Sequence, residues 1–288
     1  MPNYYLILIV NIIIAIYLGT DLPNNLWQYF LFIQNLAWEM PLFFTESWSL
    51  PIEEFAYIIG PLLLYGLLFF KFRISNSKLF GFVTILIIVC FSITNIIYNY
   101  RLEDNSMIFW NVNLKAITIY RLDAIYFGVF AAYLSIIKPK LWNKSSWISF
   151  VIGAVIFLGL NYTIPTNQVF IKTYPFFWNV LYLPINSIAI ACCLPLLSNI
   201  KSAPKFISIP ITKISIISYS MYLLHYSIIL QLLKHFIPSE EFASFDIYIY
   251  IIVYVLLTIF LSYILYKFYE KPIMDIRDKQ IIIKKFNC

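Results

Sequence analysis

The sequence predicts an all-α fold, a polytopic transmembrane helix bundle of about eight spans. Three observations predict it. Hydrophobic residues make up 61% of the 288 residues and charged ones only 12%, about half the quarter expected of a soluble domain. Apolar runs close to the roughly 20 residues that cross a bilayer recur along the whole chain. The basic residues then fall into alternate intervals between those runs, as membrane orientation requires.

Read against turn and charge signals, the runs cover residues 4–19, 50–70, 79–98, 116–137, 147–162, 177–197, 214–236 and 247–268. The first has no Lys or Arg ahead of it and no small-residue cleavage site after it, so it reads as a span and not a cleaved leader. Residues 26–44 are apolar too, but Asn35, Glu39 and Pro41 interrupt them. That pattern suits a re-entrant or interfacial segment lying over the entrance beside Glu53. The second run opens with Pro51, Glu53 and Glu54. Proline suits the first helical position and the helix dipole favours the two carboxylates, so a plain helix start explains them. An ionisable pair at the edge of hydrocarbon is equally a functional-site hypothesis.

The fourth run opens with Tyr120-Arg121-Leu122-Asp123. Arg121, Ala124, Gly128, Ala132 and Ser135 share one helical face, a small-residue stripe that would turn Arg121 into the bundle. Asp123 faces elsewhere and cannot pair with it directly. Arg121 either forms a structural ion pair with a carboxylate such as Glu53 or binds an anionic group or developing oxyanion. In the seventh run Ser218, Tyr222 and His225 line one stripe, so a polar track climbs an apolar helix. His225 is either a satisfied structural histidine or a proton relay. His235 has no such context and reads as surface.

Counted from an inner N-terminus, the inner intervals hold Lys71, Arg73, Lys78, Lys138, Lys140, Lys144, Lys201, Lys205, Lys213, Lys267, Lys271, Arg277, Lys279, Lys284 and Lys285, which is 15 of the 20 Lys and Arg. Most acids outside the spans fall on the other side: Asp21, Glu39, Glu46, Glu103, Asp104, Glu240, Glu241 and Asp246. Both termini are therefore expected inside, and the net charge of +6 is read as orientation, with no nucleic-acid partner. Cys90, Cys192 and Cys193 sit in apolar runs and Cys288 is last, with no CxxC spacing, so no metal or disulfide framework is expected.

Trp48-Ser49-Leu50-x-x-Glu53-Glu54-x-x-Tyr57-x-x-x-Pro61 resembles the signature of the bacterial acyltransferase family 3, except that Ala56 stands where the family carries Phe. Three later segments match in the family's order. They are Arg121-Leu122-Asp123 ahead of Gly128, Ser218-Tyr219-x-x-Tyr222-Leu223-x-His225, and Glu270-Lys271-Pro272. The resemblance covers nearly the whole chain. It implies a multi-pass protein of the bacterial cytoplasmic membrane, both termini cytoplasmic, transferring an acyl group, most often acetyl, from acyl-CoA as co-substrate to a hydroxyl of an envelope polysaccharide or glycolipid, with no bound cofactor or metal. Carried onto this chain, Arg121 would stabilise the anion, Glu53 would orient it, and His225 would act as relay or substrate contact. Trp48, Glu54, Asp123, Ser218 and Tyr222 would contact substrate. The inner lysines could attract the CoA phosphates, although orientation alone accounts for them.

The family's opening helices, with their Arg, His and Arg-rich motif, have no counterpart here. The chain is thus expected to be a single, partial domain, a family bundle of ten lacking its first two helices. The alternative reading is a non-catalytic membrane subunit or a carrier of lipid-linked sugars. A transporter is disfavoured, because no inverted repeat or pair of broken helices is evident.

Overall fold

The computed structural model describes residues 2–69, 75–102, 104–237 and 244–277, all as helices, turns and loops without a strand among them. The principal helices are α1 (Pro2–Leu18), α2 (Ser49–Phe69), α3 (Asn76–Arg101), α4 (Thr118–Ile137), α5 (Ser146–Thr166), α6 (Tyr182–Leu197), α7 (Lys205–Leu224) and α8 (Ser244–Leu265). With their extensions, the seven from α2 to α8 are long and apolar enough to cross a membrane. The protein is an all-α polytopic membrane bundle. Helix α1, 17 residues, is about 26 Å long at 1.5 Å per residue, slightly under the roughly 30 Å of a hydrocarbon core.

The expected runs and the helices agree in order and number, and differ at their ends. Helix α7 starts nine residues ahead of the predicted 214, because Lys205 and Lys213 do not stop it. Long lysine stems can lie along apolar surface with their heads in water. Phe70, Lys71, Arg73, Glu103, Glu240, Glu241, Lys279, Lys284, Lys285 and Cys288 lie outside the described residues.

The chain divides into two compact units, Met1–Leu31 with Pro41–Ser47 and Ser202–Cys288, and Phe32–Met40 with Trp48–Lys201. In the first unit α7 packs on α8 and α1. Tyr4, fully buried, donates its hydroxyl to Tyr29 O at 2.8 Å and stacks on Phe44 with ring centroids 5.6 Å apart. One residue earlier, Asn3 Nδ2 donates to Glu270 Oε2 at 2.6 Å, and Ser220 Oγ, near the C-terminal end of α7, donates to the same oxygen at 2.9 Å. Glu270 of the Glu-Lys-Pro segment therefore has a structural function, tying α8's extension to α1 and α7.

The second unit packs α3 and α2 on α4, and α5 on α6. Its core joins Ile52, Ala56, Val83, Ile87, Leu122 and Tyr126. The small-residue stripe of α4 is not where helices come together. Ala132 is exposed and a Cβ on Gly128 would meet nothing within 4 Å. Large side chains make the contacts instead: Tyr126 Oη donates to Ala56 O at 2.7 Å above Gly60, and Tyr133 covers Gly81. The close backbone approach is between α5 and α6, where Gly153 faces Ala189 O.

Residues 32–40 form no helix, as the interruptions at Asn35, Glu39 and Pro41 lead one to expect. Several of their backbone groups are satisfied by protein. Thr118 N donates to Asn35 O at 2.9 Å, Ile119 N to Leu36 O at 3.1 Å, and Met40 N to Val112 O at 3.2 Å. Asn35 Nδ2 adds donations to Trp48 O at 2.8 Å and to Ala116 O. Irregular backbone in a membrane protein is tolerable on those terms, and here it clamps the start of α4, where Arg121 stands.

Candidate functional site

Arg121 occupies the first turn of α4 and is 9% exposed. It lines a cavity of about 330 Å³ together with Trp48, Ser49, Ile52, Glu53 and Tyr57. Trp48 and Glu53 are thus brought to one cavity with Arg121. Glu54 and Asp123 do not line that cavity. The expected Arg121–Glu53 pair is absent: Glu53 is exposed and accepts from Tyr57 Oη at 2.9 Å, one helical turn away. Arg121 Nε and Nη1 have no hydrogen-bond partner in the protein.

The cation has company. Lys115 Nζ lies 5.8 Å from the centre of the Trp48 ring, a cation–π geometry. Burial first, and the Arg121 charge second, push the Lys115 ammonium below the ordinary lysine range. Asp123 is fully buried, yet neither carboxylate oxygen has a hydrogen-bond partner, and both amide atoms of buried Asn95 are unpartnered as well. The Asp123 carboxylate lies near enough for its charge to act on the guanidinium, but no ion pair ties the two, and a cavity faced by that guanidinium can take an anion.

The second group of residues lies in the first unit, where α7 gives way to a π-helical turn, His225–Leu230. Such turns displace the i to i−4 ladder and are common at functional sites. The displaced amide here is used: Ser227 N and Oγ donate to Glu46 Oε1 at 3.0 and 2.5 Å. Glu46 Oε2 has no partner, and Tyr222 Oη donates to Glu46 O. Tyr29 lies near this carboxylate. Burial pushes its phenol well above the ordinary tyrosine range, and the Glu46 charge adds to that.

His225 Nδ1 is 2.8 Å from Tyr222 O. A carbonyl oxygen only accepts, so Nδ1 carries hydrogen and Nε2 is the basic nitrogen of the neutral ring. The ring lines a cavity of about 390 Å³ with Ser218, Tyr222, Tyr254 and Thr258. Ser218 and Thr258 hydroxyls donate to their own helices, at Ser215 O (2.8 Å) and Tyr254 O (2.7 Å), so toward the cavity they offer lone pairs. Ser227 faces another, polar cavity of about 690 Å³ with Asn11, Thr20, Asp21, Asn24 and Gln231. His235 is exposed, as expected.

The polar track Ser218, Tyr222, His225 thus stays together, and Trp48, Glu53 and Arg121 stay together. Sequence reasoning missed Glu46, which it counted only among the acids on the outer side. The side chain is 6% exposed and belongs to the 3₁₀ turn that leads into α2. The available signal was Ser227 two residues after His225, a donor waiting for an acceptor. Among the described residues no three His, Cys, Asp or Glu gather as a metal site. No known family model, no curated protein and no solved structure matches the chain.

Proposed function

We propose that this protein is a membrane-bound O-acyltransferase that moves an acyl group, acetyl foremost, from acyl-CoA to a hydroxyl of an envelope polysaccharide or glycolipid. The four motifs in family order support the class. The observation that carries the chemistry is the tautomer of His225, whose Nδ1–H is engaged by Tyr222 O at 2.8 Å while Nε2 is left to accept a proton.

In this reading the acceptor hydroxyl gives its proton to His225 Nε2 as its oxygen bonds to the thioester carbonyl carbon. The C–S bond breaks, and the departing CoA sulfur takes the proton back, so the histidine ends neutral. Glu46, held by Ser227, positions the Tyr222 and His225 segment and does not itself touch substrate. Arg121 is the group assigned to steady the anionic charge that develops in the transfer. The protein resides in the bacterial cytoplasmic membrane with both termini in the cytoplasm, needs no bound cofactor and engages no nucleic acid.

Membranes containing the full chain, supplied with [¹⁴C]acetyl-CoA and an envelope glycan fraction, test this. Label should enter the glycan as an ester released by mild base, and His225→Gln should cut the rate by about 10²–10⁴-fold. Unchanged labelling in both His225→Gln and Arg121→Ala, with surface export of the glycan reduced, would establish the carrier reading instead.

A further inference from the structure

The second unit contains a cavity that the proposed chemistry does not use. It has about 380 Å³ of space, within the roughly 300–1,000 Å³ of ligand pockets. Phe127, Phe130 and Leu134 of α4 form one wall, and Ile188, Cys192 and Pro195 of α6 the other. Lys138, Ser145 and Ser149 also line it and bring polar groups.

Its length and its charge both point to one occupant. From Phe127 to Lys138 the lining follows α4 for eleven residues, about 16 Å at 1.5 Å per residue. That is close to half of a roughly 30 Å hydrocarbon core, the depth of one leaflet. The apolar walls run along this depth, and the cation stands at the end where α4 terminates, Lys138 being its C-cap. Lys140 and Lys144 follow within the short helix Pro139–Lys144, both exposed. No Asp or Glu occurs between Asp123 and Glu240, so nothing on these helices competes for an anion. Trp142, on the same turn, donates Nε1–H to Ser198 Oγ at 3.1 Å and fixes the short helix to the end of α6. An indole with its N–H engaged suits the interfacial level at which lipid headgroups lie.

We infer that this cavity holds one acyl tail of an anionic glycerophospholipid, with the phosphate on Lys138 and the neighbouring lysines. Basic pockets between transmembrane helices recognise acidic headgroups in this way. The inference is independent of the acyltransferase reading, because Lys138 stands seventeen residues, about 25 Å of helix, from Arg121.

The full chain, reconstituted into nanodiscs of equal phosphatidylglycerol and phosphatidylcholine and then washed in mild detergent, is examined by native mass spectrometry for retained lipid. Phosphatidylglycerol should be retained over phosphatidylcholine by about fivefold for each lysine engaged. Lys138→Glu, an exposed position, should erase the preference without lowering the melting temperature. Ala191→Phe should fill the cavity and abolish retention of either lipid. Equal retention of the two lipids by the wild type, no retained lipid at all, or an undiminished preference in Lys138→Glu would overturn the assignment, whether or not Ala191→Phe folds.

Discussion

At the scale of single residues, this membrane interior is organised around groups whose polarity is only partly met by protein. Arg121 has two unpartnered nitrogens and Glu46 one unpartnered oxygen, and each stands where a cavity or hydroxyl cluster adjoins it. Arg121→Lys should therefore keep charge but lose the planar fork, reducing acyl transfer less than Arg121→Ala, which should cost about 10²–10³-fold if the guanidinium holds developing charge. Initial rates on labelled acyl-CoA measure the order. Glu46→Ala strands the Ser227 N–H and Oγ, and should lower stability by about 1–3 kcal/mol in a denaturation assay. Glu46→Gln, which can still accept from Ser227, should recover most of that loss. Lys115 carries a pH dependence whose sign is fixed by its environment. Its folded pKa is depressed, so the unfolded chain binds more protons between the folded and unfolded values, and stability should rise with pH through that alkaline window. Lys115→Gln should flatten the rise, and melting temperatures across mildly alkaline buffers decide it. Arg121 and His225 were legible in the sequence because charged residues are conspicuous in apolar runs. Glu46 was not, because its acceptor role depends on a donor 181 residues away.

At the scale of elements, packing contradicts the small-residue rule in one place and obeys it in another. The regular stripe on α4 looked like a helix-association face, yet Gly128 has open space where a Cβ would go. Spacing shows which residues share a face, but which neighbour reaches that face is decided by partners elsewhere in the chain. On α5 the approach rests on Gly153, which admits Ala189 O from α6, with the Cys192 and Cys193 side chains also within 3.0–3.1 Å of a Cβ placed there. Gly153→Val must push a backbone carbonyl aside, and overpacking of that kind costs about 1–3 kcal/mol. Gly128→Ala should be neutral or slightly stabilising, since alanine is the better helix former by roughly 1 kcal/mol. Parallel thermal melts of the two variants in detergent test the contrast; equal destabilisation would mean that α4 and α5 meet other helices than those described. The π-helical turns at 111–115, 177–181, 225–230 and 266–270 were invisible to a search for apolar runs, because one extra residue in a turn leaves composition unchanged. Two of them redirect polar groups that matter, Ser227 to Glu46 and Glu270 to Asn3 and Ser220.

For the whole molecule, composition and charge order were enough to give the class, since only helices satisfy every backbone group within their own segment in lipid. The division into two compact units was not legible, because it depends on residues 41–47 belonging with α7 and α8 while Trp48 onward belongs with α4. No change in composition marks that boundary. The orientation proposed from the basic residues leads to a further prediction that turns on α1. Among the described residues seven helices are long enough to cross, and an odd number alone would put the start of α2 and the end of α8 on opposite sides. Helix α1, at 17 residues, restores an even count only if it crosses despite being a few ångströms short, which local bilayer thinning accommodates at small cost. Alkaline phosphatase, active only outside, should then be active when inserted at 104–106 and inactive at 138–144. A short epitope tag ahead of Pro2 should be protected from externally added protease along with the 138–144 segment. Cleavage of that tag with the two loop reporters unchanged would mean that α1 lies along the interface. An active reporter at 138–144 would invert the whole bundle and set its many lysines against the positive-inside rule.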